Sequence, residues 1–282
     1  MPTITDLTIY PIKSCAGIAL SQAMVNEAGL SSGGVHDREW MLVDANWQFL
    51  TQREYPRMAT IRPEITLTAL LIHAPGQSVL SLSLQAQNRS ADVQVTIWEE
   101  NFPAQDCGDD AAAWFSKVLG LACRLVRFSS DAQRLSNSKW TGDIAAPNRF
   151  SDGYPILLTA TASLEDLNQR LHGEGRSAVP MNRFRPNVVL KGMEAFEEDY
   201  AESFSIGDDI QLRPVKPCPR CPMPAVDQVT GEVGPNPVDI LQAYRANPVV
   251  DGGITFGMNL IVAEGAGKVL RVGDDVDMQI AF

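Results

Sequence analysis

Histidine and cysteine are scarce in this sequence, and long apolar runs are absent from it. It has three histidines and five cysteines among 282 residues, and such an odd, sparse set of cysteines argues against a disulfide framework. No apolar run approaches the roughly 18 to 20 residues that cross a bilayer. The N-terminus also lacks the basic start and apolar core of a signal peptide. We therefore expect a cytoplasmic protein, in a reducing compartment, with no membrane partner.

Basic residues are outnumbered by acidic ones. Lys and Arg total 23 against 34 Asp and Glu, which gives a formal net charge of -11. Such a chain is a poor candidate for binding nucleic acid or anionic membranes, because both favour basic surfaces. We expect the excess carboxylates to serve solubility. Hydrophobic residues make up 45% and charged residues 20% of the chain, values typical of a globular protein with a buried core.

Alternation of apolar and polar residues predicts strands through most of the chain. Hairpins are predicted for residues 39–52 and 67–84, where turn residues separate two apolar segments. The stretch DDAAAWFSKVLG predicts a helix that ends at Gly120. TASLEDLNQRLHG predicts a second helix, with Thr161 or Ser163 as its N-cap. Few helices and no regular βαβ alternation indicate a mainly β protein with two barrel-like units.

We place the boundary between these units after the first helix. Residues 1–120 are predicted to form one β-rich domain, and residues 121–282 are predicted to form the other. Within the second domain, residues 129–150 form a polar segment without periodicity. Loops of this length in a compact chain are usually functional or disordered.

The segment KPCPRCPMPAVDQVTGE (216–232) places Cys218 and Cys221 among four prolines. Because proline fixes φ and removes a hydrogen-bond donor, we expect neither a helix nor a regular strand here. The spacing leaves four interpretations open. A zinc site would need a second cysteine pair, and a thioredoxin-like dithiol would need a helix after the motif. The other two are a pair of small buried hydrophobes and a single thiolate bound to a soft or high-valent metal.

Basic and polar side chains lie at the ends of several predicted strands, where loops commonly carry binding groups. Arginine supplies the planar fork that phosphate oxygens accept, so the set is suited to a phosphorylated, anionic ligand. Its members are Lys13, Ser14, Arg38, Arg183, Arg185, Asn187 and Arg220. The polar turn at 151–155 adds Gly153, where the absence of a side chain allows a ligand to approach the backbone closely.

Six motifs occur in the order of one known family: YPIKSCAGI, HDREW, FSDGYPILLTATASLEDLNQRL, FRPNVV, KPCPRC with VDQVTGE, and FGMNLIV with VGDDV. Over nearly its whole length the chain resembles proteins with a MOSC N-terminal β-barrel domain followed by a MOSC domain. These include the mitochondrial amidoxime-reducing components and bacterial MOSC proteins that reduce N-hydroxylated purines. The resemblance implies a mainly β fold whose second domain is a pyruvate-kinase-type β-barrel-like MOSC domain.

The resemblance also implies a molybdenum cofactor, a phosphorylated pyranopterin whose dithiolene holds the metal. Cys221 would be the metal ligand and catalytic residue, with Cys218 a neighbour and Asp227 outside direct contact. The implied reaction is two-electron reduction of an N–O bond. The implied cofactor contacts are Lys13, Ser14, Arg38, Asp152, Gly153, Tyr154, Arg185, Asn187 and Arg220, although relatives often carry other residues after the Asp.

Two features of some relatives are missing from this sequence. Certain bacterial relatives continue into a [2Fe–2S] domain, and the mitochondrial ones carry a targeting and anchor segment. This sequence has no cluster-type cysteine run, so we expect electrons from a separate flavin or iron–sulfur protein. An alternative is a carrier that holds the cofactor, or sulfur as a persulfide on Cys218 or Cys221, without turnover. A CxxC protein without molybdenum is a third possibility.

Overall fold

The computed structural model describes residues 1–85 and 92–281. These residues contain twenty strands, four α-helices and five short 3₁₀ helices. The strands are β1 (Thr3–Ile9), β2 (Ile18–Leu20), β3 (Gln22–Asn26), β4 (Gly29–Ser32), β5 (Val35–His36), β6 (Trp40–Val43), β7 (Arg62–Ile65), β8 (Ala69–His73), β9 (Leu80–Ser83), β10 (Asp92–Ile97), β11 (Glu100–Asp106), β12 (Arg124–Phe128), β13 (Ile156–Ala160), β14 (Val188–Lys191), β15 (Ala201–Ile206), β16 (Ile210–Pro219), β17 (Ala246–Asn247), β18 (Gly253–Glu264), β19 (Val269–Arg271) and β20 (Asp277–Ile280). The α-helices are α1 (Asp109–Leu119), α2 (Ser138–Thr141), α3 (Thr161–Gly173) and α4 (Val238–Leu241). The 3₁₀ helices are Pro56–Thr60, Met181–Arg183, Glu197–Tyr200, Met223–Ala225 and Pro248–Val250.

The strands of the described residues form four sheets, which confirms the predicted mainly β class. The largest has nine strands in the order β2-β1-β14-β13-β18-β16-β15-β20, with β17 beside β18. Its β13 and β14 run parallel, and its other neighbours are antiparallel. The smaller sheets have the orders β10-β11-β12-β6, β19-β3-β4-β5 and β7-β8-β9.

Three of these four sheets combine strands from both sides of residue 120. In the largest sheet, Leu7 of β1 pairs with Val188 of β14. Near the end of the chain, Leu270 of β19 pairs with Ala23 of β3. The first and last thirds of the chain therefore share sheets. The domain boundary after residue 120 stays a prediction.

A large hydrophobic core joins the sheets, and a smaller cluster supports the region described below. Trp40, Phe115 and Phe204 are fully buried in the large core, where Phe115 is contributed by α1. In the smaller cluster the rings of Phe184 and Phe256 stack with their centroids 4.0 Å apart. Apolar burial of this kind contributes roughly 1.5–3 kcal/mol for each large side chain. Among the described residues, no helix combines the length and apolarity needed to cross a membrane.

Most predicted elements are present, and the departures have local causes. The hairpin at 67–84 is formed by β8 and β9, and α1 ends at Gly120, which has a φ of 75°. Strand β11 was not predicted, because its sequence ENFPAQD lacks apolar alternation and contains Pro103. It forms nevertheless, since residues 100–105 pair with β10 and residues 104–106 pair with β12.

The predicted N-cap of α3 was wrong. The N-cap residue is Ala160, which offers no side-chain cap. Ser163 instead donates its hydroxyl to the carboxylate of Glu198 at 2.8 Å and accepts the backbone N–H of Phe196 at 2.8 Å. Glu198 also accepts the N–H of Ala160 at 3.2 Å. The buried carboxylate of Glu198, from a distant segment, therefore accepts an N–H at the start of α3 where a local side-chain cap is absent.

Burial gives Glu198 an unusual pH dependence. Its side chain is inaccessible to solvent, and desolvation raises its pKa from 4.5 to about 7 despite the hydrogen bond from Ser163. Because the pKa of Glu198 is raised in the native state, its protonated carboxyl group contributes to the stability of the fold, and this contribution is complete below pH 4.5. It is lost as the pH rises through about 7.

We therefore expect Glu198→Gln to remove part of the pH dependence of folding. The amide keeps an oxygen for the N–H of Ala160 but does not titrate. The free energy of unfolding of the variant, relative to wild type, should rise between pH 4.5 and 7.5 by up to about 3 kcal/mol. Urea unfolding of both proteins across this range measures the difference. Parallel pH profiles would contradict the assignment of the shift to Glu198.

Candidate functional site

A single pocket is lined by Cys221 and by the nine cofactor contacts that the resemblance implies. Arg183, which the sequence also suggested, does not line this pocket and pairs with Asp227 at 2.8 Å. It encloses roughly 790 Å³ of empty space, including the part open to solvent. The structure thus brings together five segments far apart in sequence. The pocket is also lined by Cys218, which was expected beside Cys221, and by eight residues that were not predicted: Thr51, Arg53, Ser151, Leu157, Phe184, Pro219, Met223 and Asn259.

The cysteine motif lies at the end of a strand, and this corrects one prediction. Strand β16 continues through Cys218 as far as Pro219. The register against β18 shifts between Pro214 and Lys216 and again between Pro217 and Pro219. These irregularities let the strand include prolines, which have no N–H to pair. Cys221 follows the strand end, where the chain turns into the pocket wall.

The two thiols of the motif have different surroundings. Both are free and partly exposed. Arg220 donates to the sulfur of Cys218 at 3.2 Å, and its other terminal nitrogen donates to the carbonyl of Phe184 at 3.0 Å. Within residues 1–85 and 92–281, Cys221 has no such partner for its sulfur. Cys218 is therefore held by the protein, while Cys221 is available to a ligand.

Two arginines lie close to the ring of one buried tyrosine. The guanidinium carbons of Arg38 and Arg185 are 4.3 Å and 4.2 Å from the ring centroid of Tyr10. The Tyr10 hydroxyl donates to the carbonyl of Pro186 at 3.1 Å, which fixes the ring. Cation–π attraction to the same ring stabilises both cations at this position. Tyr10 was missed in the sequence, although it begins the motif YPIKSC.

A buried carboxylate and an amide hold Arg38 in place. Asp37 is 2% exposed and forms an ion pair with Arg38. The amide of Asn187 donates to Asp37 and to the carbonyl of Thr8, each at 3.0 Å. Its oxygen accepts from Arg38 and from the N–H of Leu157, each at 3.1 Å. The hydrogen-bonding capacity of Asn187 is thus used within the protein, so it positions Arg38 and has no polar group to spare for a ligand.

Arg185 is a buried cation with an incomplete set of partners. It is 5% exposed and donates to the side-chain oxygen of Gln228 at 3.2 Å. Its Nη2 is buried without a hydrogen-bond partner. Burial lowers the pKa of Arg185 to about 10, so it stays charged at neutral pH. A buried donor without a partner is costly, and an anionic ligand would remove that cost.

Lys13 and Asp152 form an ion pair at the pocket wall. The Lys13 ammonium lies 2.5 Å from Asp152 and 2.9 Å from the carbonyl of Phe150. Burial lowers the pKa of Lys13, while Asp152 opposes this shift. Burial alone would raise the pKa of Asp152, but the charge and hydrogen bond of Lys13 outweigh it and lower that pKa to about 2. Asp152 is therefore ionised at neutral pH and accepts hydrogen bonds.

The loop that carries Asp152 is fixed by an arginine outside the predicted set. Arg134 donates to the carbonyls of Arg149 and Ser151, each at 2.7 Å, and to that of Asp152 at 3.3 Å. Beside Gly153, a side-chain carbon would meet no protein atom within 4 Å. The loop is thus rigid but leaves open space on the pocket side.

The backbone is strained at three positions of the pocket. Ser14, Arg38 and Arg185 have φ values of 65°, 48° and 58°, in the left-handed region that residues other than glycine rarely adopt. Seven non-glycine residues of the described ranges have positive φ, and these three share one pocket. Strain of this kind costs on the order of 1–3 kcal/mol per residue and concentrates at functional sites.

The fold and the pocket define a class: a mainly β protein in which a cation-lined pocket ends at a cysteine thiol. The chain matches the family models described as MOSC N-terminal beta barrel domain, over residues 1–122, and MOSC domain, over residues 145–277. The chain belongs to the family of MOSC-domain proteins with a MOSC N-terminal β-barrel domain.

Several curated relatives are similar over most of the chain. Mitochondrial amidoxime reducing component 2 of Rattus norvegicus is 36% identical, covering 97% of this chain and 82% of the relative. The protein of the same name from Homo sapiens is 34% identical, covering 86% and 72%. Molybdenum cofactor sulfurase of Homo sapiens is 29% identical over 92% of this chain but only 30% of its own length.

Proposed function

We propose that this protein is a molybdenum-dependent oxidoreductase that reduces N-hydroxylated compounds at their N–O bond. The observation that carries the proposal is the pocket itself, which joins the available thiol of Cys221 to the partly buried Arg38 and the buried Arg185. The printed names of the relatives, amidoxime reducing component and molybdenum cofactor sulfurase, are in keeping with it.

The residues present fit a molybdenum cofactor. Cys221 offers a soft thiolate ligand, which suits molybdenum held by sulfur. The unpartnered Nη2 of Arg185 and the neighbouring Arg38 offer charge-assisted hydrogen bonds to a phosphate. No group of three or more His, Cys, Asp and Glu in residues 1–85 and 92–281 is arranged to hold a metal ion, so a metal here would need ligands from a cofactor.

Each predicted contact then has a role in the proposal. Lys13 and Ser14 hold the anionic end together with Arg38 and Arg185. The open side of Gly153, between Asp152 and Tyr154, admits the edge of the pterin. Arg220 fixes Cys218, and Asn187 fixes Arg38. These assignments account for the full set of ten residues.

The proposed reaction consumes two electrons and two protons. An N-hydroxylated substrate R–NHOH becomes R–NH₂, and its oxygen leaves as water. The bound cofactor would supply the metal centre that delivers the electrons. Asp152 is no proton donor near neutrality because its pKa is about 2. The protons would therefore come from solvent through the open mouth of the pocket. Electrons come from a separate flavin or iron–sulfur protein of the cytoplasm.

The test uses protein produced in a host that makes the molybdenum cofactor. Chemically reduced methyl viologen replaces the unknown electron donor, and an aromatic amidoxime serves as substrate. We expect near-stoichiometric molybdenum and formation of the amidine in proportion to it. Fully loaded protein that fails to reduce the amidoxime with viologen and with flavoprotein donors would refute the proposed activity.

A second candidate function is a carrier of the cofactor or of sulfur, without turnover. The observation that favours it is the position of Cys218, which lines the same pocket and accepts a hydrogen bond from Arg220 at 3.2 Å. A relay that passes sulfur between two thiols needs both cysteines, whereas the reductase needs only Cys221. The two candidates therefore differ in the behaviour of Cys218 variants.

A further inference from the structure

A second groove runs along the polar segment 129–150 and has no part in the proposed function. It holds roughly 1,390 Å³ of empty space, including the part open to solvent. It shares no lining residue with the cofactor pocket. Its wall is mostly apolar, with contributions from Phe128, Ala132, Leu135 and Pro147. Leu135 is 55% exposed there.

Unpartnered polar atoms gather at this groove as they do at the cofactor pocket. Nine buried side-chain nitrogen or oxygen atoms of the described residues have no hydrogen-bond partner. Two of these atoms, Arg185 Nη2 and Arg220 Nε, belong to residues that line the cofactor pocket. Residues lining the second groove account for three more: His36 Nδ1, Asn148 Nδ2 and Arg149 Nε. Because buried polar groups are normally paired, this concentration sets the groove apart from the rest of the described surface.

Arg149 supplies a charge without a counter-ion. Its guanidinium lies 5.6 Å from the ring centroid of Phe128. Among the ion pairs of the described residues, none includes Arg149. The neighbouring carboxylate of Glu39 already pairs with Arg127 at 2.6 Å and accepts the N–H of His36 at 2.8 Å. A half-buried cation therefore faces an apolar wall.

We propose that this groove is a second ligand site, which binds a small organic anion with an apolar body. The carboxylate or sulfonate of the ligand would pair with the guanidinium of Arg149. The apolar body would cover Phe128, Ala132 and Leu135. Ligand pockets of this composition, apolar with a few convergent polar groups, are typical of small-molecule sites. The ligand class follows from the charge of Arg149 and the apolar wall together.

The test uses 8-anilinonaphthalene-1-sulfonate as the probe, because it combines an aromatic body with a sulfonate. We expect one saturable site by fluorescence titration of the full chain. Arg149→Met should weaken binding about tenfold or more, since a charge-assisted hydrogen bond is lost. Arg213→Met, at an exposed arginine that lines neither pocket, should leave the affinity unchanged.

Two further measurements test the apolar wall of the groove and the kind of anion that it binds. Ala132→Phe fills the groove and leaves Arg149 in place, so it should also abolish binding. Octanoate should displace the probe, while inorganic pyrophosphate, which suits the arginine-rich cofactor pocket, should not. Equal affinity in wild type and Arg149→Met, or displacement by pyrophosphate alone, would overturn the proposal.

Discussion

Cys221→Ala should lose its molybdenum and with it the reduction of amidoximes. The thiol of Cys221 is the side chain at the pocket wall that offers a sulfur ligand without a protein partner. Loss of a group on which the whole reaction depends typically lowers turnover by ~10³-fold or more. Elemental analysis of the purified protein, next to the viologen assay, measures both effects in one preparation.

Cys218→Ala is the matched control in the same motif. The reductase proposal expects it to keep its molybdenum and most of its activity, because the sulfur of Cys218 is engaged by Arg220. If Cys218→Ala loses as much activity as Cys221→Ala, both thiols take part and the sulfur carrier becomes the better explanation. Molybdenum retained in Cys221→Ala would show that the metal does not rest on this thiolate.

Arg185→Met should release the cofactor while leaving the fold intact. The substitution removes a buried positive charge, one partner of the Tyr10 ring and the unpartnered Nη2. A charge-assisted hydrogen bond contributes about 1.5–3 kcal/mol, so cofactor retention should fall roughly 10- to 150-fold. Pterin and molybdenum contents after extensive dialysis measure the retention, and circular dichroism checks the fold.

Two further variants test whether the charge of Arg185 or the planar shape of its guanidinium holds the cofactor. Arg185→Lys keeps the charge but loses the planar fork and the stacking on Tyr10, so it should retain an intermediate amount of cofactor. Arg62→Met replaces an exposed arginine of β7 that lines neither pocket, and it should match wild type. Full retention in Arg185→Met would remove this residue from the cofactor contacts.

The sequence predicts where strands lie better than it predicts which strands pair with one another. Alternation located β8, because Leu70 and Ile72 are buried and the residues beside them are only partly buried. It did not locate β11, whose pairing with β10 supplies what its composition lacks. Alternation also does not predict that Leu7 pairs with Val188, because contacts between distant segments leave no local pattern in the sequence.

The same limit explains which site residues were found. Lys13, Arg38 and Cys221 stand in motifs whose order resembles one family, and the structure brings them to one pocket. Tyr10 and Arg134 were missed, because their importance lies in what they touch. A tyrosine at a strand end or an arginine in a polar loop is common. Only the two guanidiniums beside the ring, or the three carbonyls beside Arg134, reveal the role.

The sharing of sheets between the two ends of the chain bears on when the cofactor can enter during biosynthesis. The pocket needs Lys13 from the beginning of the chain and Asn259 from near its end. Strand β1 is held by β14, and β3 is held by β19. The pocket is therefore complete only when residues as late as Asn259 have folded. If it holds the proposed cofactor, we expect a product truncated after Cys221 not to load it.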